Sequence, residues 1–273
     1  MKQPFGGLDR EFWAKKPLIG MVHLLPLPGS PRDDGQGMEP VLERAIADAK
    51  ALESGGADAI MIENFFDAPF VKEDSPAHTL VAMTQAVSAI RKITSCPLGV
   101  NVLRNDAISA LAIAHICSAQ FVRVNVWVGA AVTDQGIIEG AARKANLYRR
   151  ELGANVAILA DVFVKHATQI GGGSLEDAAK DAVLRGLADG LILSGTSTGS
   201  ATSPEDLRRV KTALPDSPLL VGSGFNLASA HELLTYADAA IVGTSLKPGG
   251  DVTQPVDLNL VVALKRAIRQ GTL

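Results

Sequence analysis

Short runs of apolar residues recur along the chain, and segments with helical spacing lie between them. Over residues 40–54, for example, apolar side chains recur every three or four positions, which predicts an amphipathic helix. Strands that are buried on both faces and alternate with helices are typical of a parallel sheet. The eight runs cover residues 18–24, 59–64, 98–103, 121–126, 157–162, 191–194, 219–222 and 239–243.

Eight strand and helix units predict that the sheet closes on itself. The expected fold class is α/β, a single (β/α)8 or TIM barrel, and the 273 residues match the roughly 250 that this architecture typically needs. We predict one domain over residues 1–273, with residues 1–16 as an N-terminal extension. A short helix at residues 8–14 is expected to cover the bottom of the barrel with Phe12 and Trp13.

A turn in which an aspartate lies between two small residues precedes three of the runs. This recurrence indicates an internal repeat of one structural unit. Its aspartates are Asp58, Asp189 and Asp238. Each lies before its strand, at the end of a barrel that carries stability rather than catalysis. Because aspartate is a common turn residue, we predict structural roles for all three.

Three connections that follow strands are longer than the few residues usual in this fold. They cover residues 25–39, 65–79 and 163–174. Connections that follow strands lie on the top rim of a barrel, where long loops are often functional. The alternative is surface decoration without a function.

The last two runs stop at glycines and hydroxyl residues, which predicts an anion site. Glycine lets backbone amides approach a phosphate closely, and a following helix N-terminus adds favourable dipole charge. The loops after the seventh and eighth strands commonly form the phosphate pocket of a (β/α)8 barrel. The predicted phosphate-binding residues are Gly222, Ser223, Gly224, Gly243, Thr244 and Ser245.

Polar side chains lie near the ends of the first five runs. Because side chains alternate along a strand, these residues are expected to point toward a common axis together with the apolar residues two positions away. The unpaired burial of a charge is costly, so Arg123 is predicted to pair with Glu63 or Asp161. The inward polar residues are His23, Glu63, Asn101, Arg123, Asn125 and Asp161.

Two roles fit these inward side chains. In the first, Glu63 and Asp161 act as general base and general acid, because catalytic residues of this fold come from the ends of several strands. Asn101, Asn125 and His23 would then orient hydroxyl groups of the ligand. The alternative is an ion-paired polar layer without catalytic function.

Three further residues extend the candidate site. Lys165 follows the fifth run and is a phosphate contact, a Schiff-base amine or a solvated loop lysine. Ser194 and Thr196 offer hydroxyl groups to the ligand from the tract after the sixth run, or serve only as turn residues. Arg123 belongs either to the ligand-binding set or to the polar layer.

The same carboxylates, with His23, form an oxygen-rich set that suits Mg²⁺ or Mn²⁺. The sequence contains no HxH or HExxH spacing, and its two cysteines do not form a CxxC pair. We therefore predict no cofactor and no dedicated metal site, with a divalent ion as the alternative.

The composition of the chain limits which binding partners and which cellular compartment are expected. The net charge of -3 comes without a basic block, so nucleic acid is not an expected partner. No stretch reaches the roughly 18 apolar residues of a membrane helix, and the first residues lack the apolar core of a signal peptide. We expect a cytoplasmic homo-oligomer that binds a small phosphorylated molecule, with peripheral membrane contact left open.

Several long motifs resemble the BtpA/SgcQ family, and together they cover nearly the whole chain from about Pro17 onward. The motifs are GMVHLLPLPGSPR, GGADAIMIENFFDAPF, PLGVNVLRNDA, FVRVNVWVGAAVTDQGIIEG, ILADVFVKHA, SGTSTG, VGSGFN and IVGTSLK. The resemblance implies a barrel of the ribulose-phosphate-binding type.

The resemblance also implies two competing roles. SgcQ-like members lie among sugar-uptake genes and look like enzymes for phosphosugars or nucleosides, which here implies an isomerase, lyase or hydrolase acting on a small phosphorylated sugar or nucleoside-like ligand. Cyanobacterial members are associated with photosystem I biogenesis, which here implies a non-enzymatic stability factor peripheral to the thylakoid membrane. The family has no settled catalytic mechanism to carry over.

Overall fold

The structure is a computed structural model that describes residues 5–171, 173–195 and 201–271. Its strands are β1 Leu18–His23, β2 Ala59–Glu63, β3 Leu98–Asn101, β4 Phe121–Val124, β5 Ala130–Thr133, β6 Gly136–Glu139, β7 Ala157–Val162, β8 Ala167–Ile170, β9 Gly190–Leu193, β10 Leu219–Val221 and β11 Ala239–Val242. Its α-helices are α1 Arg10–Ala14, α2 Met38–Ser54, α3 Ala77–Arg91, α4 Ala107–Ile116, α5 Ala142–Glu151, α6 Leu175–Lys180, α7 Pro204–Ala213, α8 Ala230–Leu234 and α9 Leu258–Gly271.

Eight parallel strands close into a barrel in the order β1, β2, β3, β4, β7, β9, β10 and β11, which returns to β1. The predicted (β/α)8 barrel is confirmed, and each of its strands begins and ends within two residues of the predicted run. The register aligns strand ends: His23 lies beside Glu63, and Glu63 lies beside Asn101. Parallel pairing in this register therefore brings polar side chains together at one end of the barrel.

The barrel interior is apolar below these polar ends. Phe121 is fully buried there and occupies the space that a side chain at position 99 would need, so only glycine fits beside it. A second apolar layer lies between the outer faces of the strands and the helices. The interior cluster contains Leu8, Ile19, Met21, Ala59, Met61, Phe121, Ala157, Leu159, Ile192, Leu220, Ala239 and Ile241.

The N-terminal segment packs against the interior cluster through Leu8, Phe12 and Trp13. The Asp9 carboxylate accepts a hydrogen bond from the Phe12 amide at 2.9 Å and so caps α1. The Trp13 indole donates to the carbonyl of Leu8 at 2.9 Å. This segment covers the barrel as its two aromatic residues predicted.

The three turn aspartates have structural roles, as predicted. Asp58 accepts a hydrogen bond from the amide of Leu18, the first residue of the neighbouring strand, at 2.7 Å. Asp189 and Asp238 repeat this contact with the first or second residue of their own neighbouring strands, at 2.8 and 2.9 Å. Each carboxylate therefore ties one repeated unit to the preceding strand.

A small antiparallel sheet of β6, β5 and β8 was not predicted. The tract 163–174 was expected to be a loop, but residues Ala167–Ile170 pair with β5. These strands are only four residues long and carry mixed polar and apolar side chains, so they leave little pattern in the sequence. Val126, Ala131, Ile138 and Val164 form a separate apolar cluster that holds the sheet to the barrel.

None of the helices in the described ranges combines the length and apolar character of a membrane span.

Candidate functional site

A narrow pocket lies at the carboxyl ends of the barrel strands. One side is formed by the two glycine-containing loops after β10 and β11, and the other by charged and aromatic side chains from β1, β2, β4 and the loop after β7. The polar and aromatic side chains in its wall are His23, Glu63, Phe65, Arg123, Lys165, Ser223, Phe225, Asn226, Thr244 and Ser245.

The two loops present unused backbone donors to this pocket. The Gly222 amide continues the sheet by donating to the carbonyl of Leu193 at 2.6 Å. Within the described residues, the amides of Gly224, Thr244 and Ser245 donate no hydrogen bond. Such amides at a loop lined by glycine are well suited to a phosphate.

Hydroxyl groups connect these two loops to each other and to β9. Ser245 Oγ donates to the carbonyl of Phe225 at 2.6 Å, which joins the loop after β11 to the loop after β10. The amide of Gly195 donates to Ser223 Oγ at 2.7 Å. The two loops are thus held as one surface.

His23 is packed tightly against both sides of the pocket. Its ring stacks on Phe65 with centroids 4.4 Å apart and an angle of 24° between planes. On the other side, a Cβ at position 243 would lie 2.8 Å from His23 Cε1, so glycine is required there for packing against the imidazole. A side chain held in this way keeps one orientation without a hydrogen bond to Nδ1, which has none in the described part.

His23 lies beside Glu63, and Asn101 holds the carboxylate. His23 Nε2 is 4.0 Å from Glu63 Oε1, and Asn101 Nδ2 donates to Glu63 Oε2 at 2.6 Å. Burial, and after it the positive charges of Lys247 and Lys165, hold the pKa of His23 well below its ordinary value. The imidazole is therefore neutral at neutral pH and can accept a proton.

Arg123 and Asp161 form a buried ion pair behind the pocket wall. Arg123 donates through Nε and Nη2 to the two carboxylate oxygens of Asp161, each at 2.8 Å. Asn125 Nδ2 adds a third hydrogen bond to Asp161 at 2.8 Å. Burial disfavours the Arg123 charge, but the adjacent Asp161 carboxylate outweighs it and raises the pKa of the guanidinium. The predicted pairing of Arg123 is confirmed, with Asp161 as its partner.

Lys165 and Arg104 add further positive charge next to Arg123. Lys165 lines the pocket, and its backbone carbonyl accepts a hydrogen bond from Arg104 Nη2 at 2.6 Å. Arg104 is 5% exposed, and its buried Nε has no hydrogen-bond partner among the described residues. Burial, and then the charge of Arg123, lower the pKa of Lys165.

The structure gathers most of the predicted site residues but separates Ser194 from them. Asn101, Asn125 and Asp161 are buried behind the residues of the pocket wall and contact the ligand space only through Glu63 and Arg123. Ser194 lies on the far side of Gly222 and lines a different cavity, between β9 and α6. Thr196 lies outside the described residues.

The sequence analysis did not single out the pocket residues Phe65, Phe225 and Asn226, nor Arg104, which donates to the backbone of Lys165. Phe65 follows β2 directly after its polar end, and that position was the available signal. Arg104 lies three residues beyond β3, in a loop whose course the apolar pattern did not define. In the described ranges, no group of three or more His, Cys, Asp and Glu side chains is arranged to hold a metal ion.

A wider groove of about 1550 Å³ lies on the outside of the barrel, between α5 and the π-helical turn Asp181–Arg185. It contains none of the predicted site residues. Ligand chemistry in this architecture belongs to the carboxyl ends of the strands. The narrow pocket is therefore the candidate site despite its smaller size.

Comparisons with known proteins agree with the barrel fold and identify the family. The chain is 47% identical over 264 residues to the photosystem I biogenesis protein BtpA of Synechocystis sp., covering 97% of this chain and 92% of that protein. It is 32% identical over 246 residues to the sgc region protein SgcQ of Escherichia coli, covering 89% and 91%.

Solved structures of phosphate-ester enzymes share the fold at low sequence identity, among them N-(5'-phosphoribosyl)anthranilate isomerase from Pyrococcus furiosus at 12% identity and a TM-score of 0.55, covering 93% of this chain and 98% of that one. Thiamine phosphate pyrophosphorylase from Pyrococcus furiosus superposes with a TM-score of 0.59 at 16% identity, covering 95% of this chain and 98% of that one. The model of the BtpA family matches residues 14–270. The chain therefore belongs to the BtpA family.

Proposed function

We propose that this protein is an enzyme that transfers protons on a small phosphorylated ligand, a sugar or nucleoside-like compound, in an isomerase, lyase or hydrolase reaction. One observation carries the proposal. Unused amides of the loops after β10 and β11 face the same pocket as a neutral histidine and its neighbouring carboxylate. An anion site next to a base is the arrangement that such a reaction needs.

The phosphate of the ligand binds to the amides of Gly224, Thr244 and Ser245. Three donors from one rigid surface match the oxygens of a phosphate, and Ser245 fixes the two loops relative to each other. The similarity in fold to thiamine phosphate pyrophosphorylase supports a phosphorylated ligand. Binding at this end orients the rest of the ligand toward His23 and Glu63.

His23 and Glu63 exchange protons with the ligand. Burial lowers the pKa of His23, so the imidazole is unprotonated before the ligand binds, and Glu63 is held in position by Asn101. Both oxygens of Asp161 are engaged by Arg123 and Asn125, so we assign Asp161 to positioning Arg123 rather than to proton transfer. Arg123 contributes positive charge to the pocket wall.

Thermal unfolding with matched ligands tests this proposal. A ligand that binds only the folded state raises the melting temperature in proportion to the logarithm of its concentration. We expect stabilisation by phosphorylated pentoses or nucleotides and none by the same compounds without their phosphate. Equal stabilisation by the phosphorylated and unphosphorylated forms would contradict the proposed phosphate site.

The 47% identity to a photosystem I biogenesis protein supports a second candidate, a non-enzymatic assembly or stability factor. In that role the protein would contact the thylakoid membrane peripherally, whereas the proposed enzyme works in the cytoplasm. Co-sedimentation with thylakoid-lipid vesicles, together with no response to any phosphorylated ligand, would favour the assembly factor.

We also propose that the protein is a homo-oligomer. The outer face of the small sheet leaves Val132, Ile137 and Ile170 about half exposed, and exposed apolar patches often mark protein contacts. Light scattering coupled to size-exclusion chromatography measures the mass directly. A mass of 28.5 kDa would identify a monomer and contradict this part of the proposal.

A further inference from the structure

The positive charges at the pocket mouth exceed the carboxylates that can pair with them. Asp161 accepts hydrogen bonds from Arg123 and Asn125, and Glu63 accepts one from Asn101. Lys165 and Arg104 form no ion pair with any carboxylate in the described part of the chain. Because His23 is neutral, it does not change this balance.

Neither of these two cations is well solvated. Arg104 is 5% exposed, and its guanidinium reaches one carbonyl oxygen while Nε remains without a partner. Lys165 lines the pocket, and its ammonium makes no hydrogen bond to the described residues. Unmatched charge in a partly buried site is unfavourable, so an anion from outside the protein is the natural partner.

The order of strands places this cationic pair across the barrel from the phosphate loops. Arg104 follows β3 and Lys165 follows β7, whereas the unused amides follow β10 and β11. His23 and Glu63 come from β1 and β2, which lie between the two groups on one side of the ring. A ligand that contacts both the phosphate loops and Lys165 therefore lies next to the proposed proton-transfer residues, His23 and Glu63.

We infer that the ligand carries a carboxylate at the end away from its phosphate, and that Lys165 binds this carboxylate with Arg104 beside it. The inference rests on the proposed function and narrows its substrate class to phosphorylated sugar acids or related hydroxy and keto acids. A carboxylate fits better than a second phosphate because the loop after β7 contributes a single side-chain cation, Lys165, to the pocket lining, whereas the phosphate loops line it with consecutive backbone residues, 222–226 and 243–245.

Two readily available compounds differ only in whether they carry this carboxylate. Glycerol 3-phosphate and 3-phosphoglycerate have the same carbon number, but the second has a carboxylate where the first has a hydroxymethyl group. Isothermal titration calorimetry with the full chain is expected to give at least about tenfold tighter binding of 3-phosphoglycerate. Lys165→Met should bring the ratio of the two affinities to about one, while the exposed-helix control Lys50→Met should keep the preference.

Several outcomes separate this inference from the proposed function. If both probes bind equally well, the carboxylate site is wrong but the phosphate site stands. If neither probe nor inorganic phosphate binds, the proposed function itself fails. Tighter binding of 2,3-bisphosphoglycerate than of 3-phosphoglycerate, lost in Lys165→Met, would assign the cations to a second phosphate. Borohydride trapping of dihydroxyacetone phosphate on Lys165 would make this lysine a Schiff-base amine and overturn the inference.

Discussion

His23 and Gly243 pack so closely that a single methyl group at position 243 would come within 2.8 Å of the imidazole carbon Cε1. The glycine thus supports the orientation of the histidine as well as the course of the phosphate loop. Phe65 holds the other face of the ring, 4.4 Å away between centroids. The proton-transfer residue and the anion site are therefore linked through one backbone position.

Gly243→Ala should impair both stability and catalysis because the added methyl group must displace His23. We expect a loss of about 1–3 kcal/mol in the free energy of unfolding, the usual range for an overpacked core. Turnover, once a substrate is known, should fall with it. Gly20→Ala is the matched control, since its methyl group would meet the Leu52 side chain on the outer face of β1. It should lose similar stability but bind phosphate normally, and normal His23 NMR shifts in Gly243→Ala would contradict the account.

Glu63→Gln should reduce turnover strongly while preserving the fold. The amide keeps an oxygen that can accept the hydrogen bond from Asn101, but it cannot take up a proton. A loss of ~10²–10⁴ in kcat is expected, the usual contribution of a general acid or base. The phosphate affinity measured by calorimetry should stay within twofold. Undiminished kcat in this variant would remove Glu63 from the proton-transfer pair.

Asp161→Asn should destabilise the protein through Arg123 rather than through lost chemistry. The substitution leaves a buried guanidinium without its counter-charge, which typically costs about 3–5 kcal/mol. The double variant Arg123→Met with Asp161→Asn should recover most of this loss, because it leaves no buried charge unpaired. Urea unfolding of the two single variants and the double variant measures the coupling. Additive losses would show that the ion pair does not carry the effect.

Stability should fall as the pH drops through the ordinary pKa of histidine. Because burial lowers the pKa of folded His23, the unfolded chain binds a proton first, and the folded state loses relative stability below about pH 6.5. The loss of stability fades to nearly zero about one pH unit above this value, and well below it one such group contributes a slope of at most about 1.4 kcal/mol per pH unit.

Urea unfolding between about pH 8 and pH 5 tests this dependence. His23→Gln should flatten the curve relative to the unchanged protein. His166 also has a pKa lowered by burial, but it is more exposed, so His166→Gln should change the slope less. The same slope in His23→Gln and in the unchanged protein would contradict the proposed protonation state.

Removal of divalent ions should leave phosphate binding and thermal stability unchanged. Asp161 has both oxygens engaged by Arg123, so Glu63 and His23 remain as the two side chains of the set that offer a ligand atom to Mg²⁺ or Mn²⁺. Dialysis against EDTA followed by calorimetry and thermal unfolding gives the comparison. A loss that added Mg²⁺ or Mn²⁺ restores would favour the divalent-ion alternative.

Most of the barrel was predictable because parallel strands buried on both faces leave continuous apolar runs. The same alternation predicted that Glu63 and Asn101 face a common axis, and the two prove to be neighbours in the sheet. The cost of burying an unpaired charge predicted a carboxylate partner for Arg123. Short strands with mixed side chains leave no such pattern, so β5, β6 and β8 were missed. Arg104 was missed for a related reason: its position depends on the course of a loop that no periodicity describes.

The anion site itself was predicted from two glycine-ended strands, but the separate roles of the glycines were not. Gly222 fits beside the Ser194 side chain, and Gly243 fits beside His23. Such packing depends on neighbours that are distant in the sequence. The backbone amides that follow these two glycines in the chain are the donors left for a ligand.

Isothermal titration calorimetry with inorganic phosphate tests the central claim most directly when it compares Gly224→Ala with Gly129→Ala. Both glycines have a φ of about 71°, so the two substitutions impose similar backbone strain, but only Gly224 adjoins the phosphate loops. The account predicts that the unchanged protein and Gly129→Ala bind phosphate with equal affinity, while Gly224→Ala binds at least about tenfold more weakly. Equal binding by all three proteins, or no binding by the unchanged protein, would contradict a phosphate site at this end of the barrel.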